Sequence, residues 1–296
     1  MHRDKMTQPD EMARASRRLH IERHKFSTTT SERTDDAIAE EIPVALVFNG
    51  ISHAVMMATP MDLEDFAIGF SLAEQIVDRP DQIYDIECIQ NIAALGIEVQ
   101  ITIASDCFVR LKDKRRSLSG KTGCGLCGLE SLTALDLATP LVMRDVQVGK
   151  QALAKAFEEL QSKQPVNALT GALHAAAWSD LDGEIQIVRE DVGRHNALDK
   201  LIGAMTADTP RQTCEQSAIS LIATSLASRT GFAVMTSRAS YELVQKAARA
   251  GIAILATISA PTTLAISIAE RGGICLIGFV REQGFVVYSH PERLAG

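Results

Sequence analysis

Residues 232–280, FAVMTSRASYELVQKAARAGIAILATISAPTTLAISIAERGGICLIGFV, decide the fold. Three apolar runs, Phe232 to Thr236, Ile252 to Ile258 and Ile274 to Val280, have strand length and composition. Tyr241 to Ala250 and Pro261 to Arg271 lie between them and read as helices. Strands separated by helices of this length predict an α/β sheet with helices on both faces. The run Ile252 to Ala269 is apolar enough to raise a membrane span, but Ser259-Ala260-Pro261-Thr262-Thr263 puts turn and cap chemistry in its middle. It reads as a buried strand followed by a helix.

Downstream, Phe285 to Tyr288 predicts an antiparallel edge hairpin turning at Glu282-Gln283-Gly284. Upstream, Glu184 to Val188 reads as a strand, with helices over Gln151 to Gln161, Asn196 to Met205 and Thr213 to Ser228; His174 falls in a connecting segment. Nearer the N-terminus, Pro43 to Phe48 and Ile51 to Met57 flank Asn49-Gly50, a pair suited to positive φ and so to a hairpin turn. A helix capped by Asp62 is expected to Val77, then strands over Ile83 to Ile92, Ile97 to Ile103 and Phe108 to Leu111, and a loop from Lys112 to Gly128. Residues 1–38 are polar and lack a sustained apolar period, which predicts a flexible tail. The expected organisation is a tail over 1–38, a smaller α+β domain over 39–145 ending in the Cys124–Cys127 loop, and a larger α/β domain over 146–296.

The 296 residues carry a formal charge of −7, which argues against general binding to nucleic acid or anionic membranes. An anionic ligand must find a local basic patch. No secretory leader is read at the start of the chain, and the sparse cysteines look like those of a reduced compartment, so the cytoplasm is the expected address. Cys88, Cys107, Cys214 and Cys275 stand alone in apolar runs and read as core residues.

Cys124-Gly125-Leu126-Cys127 is different. Two cysteines at this spacing can bind zinc, form a redox disulfide or present a nucleophilic thiolate. A structural zinc site needs a second ligand pair, which the other cysteines do not offer. The flanking glycines and the nearby Arg115, Arg116 and Lys121 would favour a thiolate. The reactive reading leads, with a metal site and a purely structural pair still open.

Arg189-Glu190-Asp191-Val192-Gly193-Arg194-His195-Asn196 sits between a strand and a helix, where open α/β sheets place ligands. His195 fits an acid/base or orienting role. The plainer alternative has Asp191 capping the helix, Glu190 pairing with Arg194 on the surface, and His195 as a half-buried, satisfied imidazole. Ser237-Arg238-Ala239-Ser240 and Ser259-Ala260-Pro261-Thr262-Thr263 open two more helices after strands, and suit either phosphate binding or ordinary capping. Three polar strand ends in one sheet point to one crevice for a phosphorylated or nucleotide-bearing ligand. His53 and His174, in apolar contexts, read as packed histidines.

Four blocks carry a resemblance: Thr122 to Gly128, Thr170 to Ala177, Glu190 to Lys200, and Thr236-Ser237-Arg238. In order and approximate spacing they resemble the FdhD family, the formate dehydrogenase accessory sulfurtransferases, from about Glu40 to the C-terminus. The resemblance implies a larger domain similar to cytidine deaminases. It implies a sulfur carrier that takes persulfide sulfur from a cysteine desulfurase and passes it to the bis-molybdopterin guanine dinucleotide molybdenum cofactor, for use by formate dehydrogenase. Cys124 then maps to the persulfide-bearing cysteine, Cys127 to its partner, and Phe279-Val280-Arg281-Glu282-Gln283-Gly284 to the cofactor-binding segment. A homodimer without a permanently bound metal is implied as well.

Two rival readings have different signatures. A zinc-dependent deaminase needs His-x-Glu and Pro-Cys-x-x-Cys; here Thr122-Gly123 precedes the first cysteine, and the His-x-Glu of His20-Ile21-Glu22 falls in the expected tail. A non-catalytic chaperone for the molybdenum cofactor or a guanine nucleotide would need the polar strand ends without the thiols.

Overall fold

The computed structural model describes residues 13–27, 30–91, 95–118, 137–206 and 229–295. Cys124, Cys127, Cys214 and the helix expected over residues 213–228 lie outside them.

The chain opens with β1 (Ser16–His24) and β2 (Ser31–Ala39), an antiparallel ribbon in register from Ser16 opposite Ala39 to His24 opposite Ser31. Residues 16–24 and 31–39, expected to belong to a flexible tail over 1–38, are paired strands here. Alternation of Arg, His and Glu with Leu19 and Ile21 supports a two-sided, largely exposed ribbon, a pattern with too little apolar content to announce itself. The ribbon is pinned at its base, where Ala15 packs with Met61, Val166 and Leu173 and the Glu40 N–H donates to the Ala15 carbonyl.

The smaller sheet has the order β4-β3-β6-β5, built from β3 (Ile42–Phe48), β4 (Ile51–Ala58), β5 (Ile83–Asn91) and β6 (Gly96–Ile103). Asn49 and Gly50 turn the β3–β4 hairpin with φ of 44° and 81°, as the residue pair predicts. His53 packs edge-on to Phe48 and Phe70. Helix α1 (Leu63–Ala73) covers the sheet through Phe66, Ala67 and Phe70. Asp62 stands at its N-cap position but adopts φ 51° and makes no side-chain cap; it lies instead beside Arg189. Residues Phe108 to Leu111 are helical, not extended: α2 spans Ser105–Leu118. Cys107 and Leu111, one turn apart, supply its buried stripe, and the Lys/Arg-rich continuation favours helix. Cys107 and Cys275 are buried as expected, whereas Cys88 is exposed on β5.

The larger sheet runs β13-β12-β11-β10-β8-β9. Its strands are β8 (His174–Ser179), β9 (Ile185–Asp191), β10 (Phe232–Met235), β11 (Ile254–Thr257), β12 (Cys275–Arg281) and β13 (Gly284–Val287), and a short parallel pair, β7 (Val148–Gly149) with β14 (Leu294–Ala295), ties down the C-terminus. Strands β10, β11 and β12 are mutually parallel, and β8 and β13 run against them. His174 therefore begins a central strand and is not part of a connection. Helices α5 (Arg194–Ala204), α6 (Tyr241–Arg249) and α7 (Thr263–Gly272) line one face, and α3 (Lys150–Ser162) crosses the other, followed by the short α4 (Pro165–Thr170). The sequence 252–269 is β11 followed by α7, and no described helix is long and apolar enough to cross a membrane.

The two sheets are joined by α1 lying against α5. At the crossing each helix presents glycine to the other's backbone. A Cβ on Gly69 would lie 1.7 Å from the Asp199 carbonyl oxygen, and one on Gly203 would lie 1.9 Å from that of Asp65. Beside the crossing, Lys246 of α6 donates to Glu74 at 2.8 Å and to both Asp199 oxygens at 2.9 and 3.0 Å, with Phe70 5.4 Å away.

Gly69→Ala is expected to cost about 3 kcal/mol or more in urea unfolding, because neither backbone can yield. Gly171→Ala, at φ 67° with open space around it, should cost only about 1 kcal/mol. Equal losses would disprove the close crossing.

Lys246→Met takes the ammonium from the buried Asp199 carboxylate. Burial pushes Asp199 up to about 6 even beside Lys246. A carboxyl raised on folding favours the fold below its unfolded value and loses that contribution as pH rises through the folded one. The variant should be about 3–5 kcal/mol less stable near pH 8 and recover much of this near pH 5. A deficit independent of pH would contradict the assignment.

Candidate functional site

All the polar strand ends singled out in the sequence meet on one rim of the larger sheet. Since β9 runs parallel to β10, β11 and β12, its C-terminal end, Glu190 to His195, shares an edge with Thr236 to Ser240, Ser259 to Thr262 and Phe279 to Gly284. His174, the first residue of β8, sits opposite Asp191 in the same row. Neighbouring loops are stitched together: the Thr236 N–H donates to the Ala175 carbonyl at 3.0 Å, Thr262 to Ala239 at 3.1 Å, and Phe279 to Ser259 at 3.4 Å. The N-termini of α5, α6 and α7 all open onto this rim, giving three sets of helix-start N–H groups suited to an anion.

Within 189–200 the residues divide by task. Glu190 is buried, and its carboxylate accepts the N–H groups of Val166 and Asn167 at 3.1 and 2.7 Å, capping α4; burial pushes it above the usual carboxylate range against those two bonds. It does not pair with Arg194 on the surface, as the plainer sequence reading had it. Asp191 accepts the Gly193 N–H at 2.7 Å, the Thr59 N–H at 3.1 Å and the Lys200 ammonium at 2.7 Å, with both Asp191 and Lys200 wholly buried. Lys200 also donates to the Thr59 carbonyl at 3.0 Å, and Asn196 reaches the Met57 carbonyl at 2.8 Å. Asp191, Lys200 and Asn196 lock the turn to the end of β4. Arg194 and His195 are the two that remain at the rim.

His195 is half-buried. Its Nε2 lies 3.0 Å from Glu242 Oε2 and 3.2 Å from Ser240 Oγ, while Ser240 Oγ donates to Glu242 at 3.1 Å. The hydrogen bond from His195 holds Glu242 below the usual carboxylate range. Ser240 thus makes no side-chain cap on α6, unlike Thr262, which caps α7 by accepting the Ala265 N–H at 3.3 Å. His174 is held below the usual histidine range, first by burial and then by Arg194. Glu242 and Thr59 were not foreseen from sequence. The Ser-Tyr-Glu start of α6 was the available signal for Glu242; Thr59 had none.

At the far side of the rim, Ser237 is buried and donates to the Arg238 carbonyl at 3.1 Å, leaving Arg238 exposed. Phe279 has φ 53° at a register shift between Gly278 and Arg281, a bulge of the kind that re-aims side chains beside sites. The residue is 40% exposed, and the Arg281 guanidinium lies over its ring at 5.9 Å. Val280 is buried, and Glu282, Gln283 and Gly284 form the exposed hairpin tip. Of the two His-x-Glu triplets, His20 and Glu22 lie on the exposed ribbon, and His290 and Glu292 pair with each other near residue 291 at 2.8 Å. A separate cavity of about 800 Å³ lies between the ribbon base, α1 and β5, lined by Arg14, Glu40, Asp62, Glu64 and Cys88 among others.

A rim of this kind defines an α/β ligand-binding class, and comparison with other proteins narrows it. The model of the FdhD/NarQ family matches residues 39–295, and the chain belongs to that family. A protein from Cupriavidus necator is 52% identical over 259 residues, covering 88% of this chain and 84% of its own. One from Acinetobacter baylyi is 53% identical over 256 residues, covering 86% of each. Both are described as sulfur carrier protein FdhD. The fold matches a crystal structure from Desulfotalea psychrophila designated a formate dehydrogenase accessory protein, with a TM-score of 0.68 at 21% identity, over 95% of this chain and 100% of that one.

Asp191→Ala is expected to destabilise the chain by about 3–5 kcal/mol, because it leaves Lys200 as a buried cation without its carboxylate. Adding Lys200→Met should recover a large part of that loss in denaturant unfolding. A double variant no better than the single would show that the carboxylate acts through the Gly193 turn instead.

Proposed function

We propose that this protein is a sulfur carrier serving formate dehydrogenase. Its sulfur rides as a persulfide on Cys124, with Cys127 as the partner that helps release or relay it. What supports this most directly is family membership: relatives about half identical over most of the chain bear the sulfur carrier name. Arg115, Arg116 and Lys121 beside the cysteine pair favour a thiolate and an approaching anion.

The acceptor in this reading is the bis-molybdopterin guanine dinucleotide molybdenum cofactor, bound as substrate at the rim. Three helix starts, the exposed Arg238, and the Arg194 guanidinium, whose Nε has no partner among the described residues, suit its phosphates. Phe279 and Arg281 offer a flat stacking surface for a guanine. Val280, Glu282, Gln283 and Gly284 complete that segment, and Ser237 and His195 line the approach. The larger unit is read as cytidine deaminase-like, which its hairpin followed by three parallel strands supports. A cysteine desulfurase supplies the sulfur, the working form is a homodimer, and the setting is the cytoplasm.

The assignment is tested by incubating the chain with a cysteine desulfurase and cysteine and locating the added sulfur by mass spectrometry. Unaltered protein and Cys127→Ala should gain one sulfur, and Cys124→Ala none. Full loading of Cys124→Ala would refute the role given to Cys124.

A further inference from the structure

We propose that Asn49 is a site of spontaneous deamidation that the fold keeps closed, and that its conversion to aspartate both records and prolongs an opening of the smaller sheet. The inference stands on the turn between β3 and β4 and is independent of the sulfur-carrier reading.

The chain has four asparagines, at 49, 91, 167 and 196, and only Asn49 is followed by glycine. That pairing suits the hairpin, with φ of 44° and 81° at the two positions. It also suits a side reaction, because no side chain of its own shields the glycine nitrogen as it attacks the preceding amide. Both residues are exposed to water. Turn chemistry and lability therefore come from the same two residues.

The fold engages the vulnerable amide elsewhere. Strand β3 runs parallel to β6 from Val44 opposite Ile97 to Phe48 opposite Ile101, and the Asn49 N–H still reaches the Ile101 carbonyl at 3.0 Å. One step further the chain turns away at Gly50. Ile103, only 2% exposed, would there present main-chain groups without a strand to pair with. The Asn49 side chain takes the place of that strand. Its Nδ2 donates to the Ile103 carbonyl at 3.1 Å, and its Oδ1 accepts the Ile103 N–H at 2.8 Å. A terminal amide satisfies both, because it carries a donor and an acceptor side by side.

In deamidation the Gly50 nitrogen attacks Asn49 Cγ. A new Cγ–N bond closes a cyclic imide, the Cγ–Nδ2 bond breaks, and Nδ2 leaves as ammonia with the proton that Gly50 gives up. Water then opens the ring at one carbonyl or the other, leaving aspartate or its β-linked isomer. The reacting carbon carries both bonded atoms, so it cannot become tetrahedral and lose Nδ2 without giving up its hold on Ile103. Afterwards an ionised carboxylate has no hydrogen to donate, and one of its oxygens would face the Ile103 carbonyl. The link cannot re-form, and this end of the sheet stays loosened.

The test follows the full chain by peptide mapping and mass spectrometry during incubation in neutral buffer, with and without urea. Asn49 should deamidate at least about tenfold faster in urea than in the folded chain, since only the open fraction reacts. Asn91, Asn167 and Asn196 should lag behind it in urea, and Gly50→Ala should suppress the reaction there. Asn49→Asp, which stands for the product, should speed amide deuteration at Ile103 by about tenfold and lower the urea midpoint. Equal rates at Asn49 with and without urea, no reaction in urea, or an Asn49→Asp chain with unaltered exchange at Ile103 would each overturn the proposal.

Discussion

Two helices that lack a side chain at their crossing set the terms for the rest of the molecule. Gly69 on α1 and Gly203 on α5 bring backbone against backbone, so the angle between the smaller and larger sheets is decided by main-chain shape. Side-chain contacts can adjust to a substitution, whereas peptide planes cannot. Once α5 is held this way, its first turn, Arg194 and His195, has one position relative to β4 and α6. The buried lysines reinforce the same seam. Lys246 spans α1, α5 and α6 through Glu74 and Asp199, and Lys200 fastens the β9 turn to Thr59.

The rim thereby combines two opposed requirements. A site for an anionic ligand needs open N–H groups and cations that are not already spent. A turn crowded with charge needs every buried group matched. The stretch from Glu190 to Lys200 meets both by assigning residues to separate jobs. Glu190, Asp191, Asn196 and Lys200 are consumed internally, and Arg194 and His195 face outward. Ser240 follows the same logic at the next helix, where the hydroxyl that could have capped α6 serves His195 and Glu242 instead.

Much of this architecture was legible from residue patterns. The alternation after Phe232, the Asn49-Gly50 turn and the closing hairpin all correspond to observed elements, because each is a local decision made by strand length, turn chemistry or caps. The convergence of polar strand ends followed from the predicted topology. Two misreadings in the charged turn share one cause, which is partners distant in sequence. Glu190 pairs with the start of α4 rather than with Arg194, and Asp191 answers to Thr59, 132 positions away. Neither relation leaves a periodic trace. Phe108 to Leu111 was too short an apolar run to separate strand from helix, and only the packing of Cys107 with Leu111 decides it. Cys88 looked like core because its neighbours are apolar, but it faces out from β5. The Cys124–Cys127 loop, on which the functional reading turns, was recognised by motif alone and lies outside the described residues.

The ribbon of β1 and β2 stands apart from these arrangements. It precedes most of the family match, has no sheet neighbour beyond its own partner, and meets the body chiefly at Ala15 and along α4. Its nine cross-strand pairs extend roughly 30 Å from the anchor, so they must break in order of distance from it. Amide deuteration would therefore advance like an unzipping, fastest near His24 and slowest near Ser16. The body beneath would remain protected while the arm above it had already exchanged.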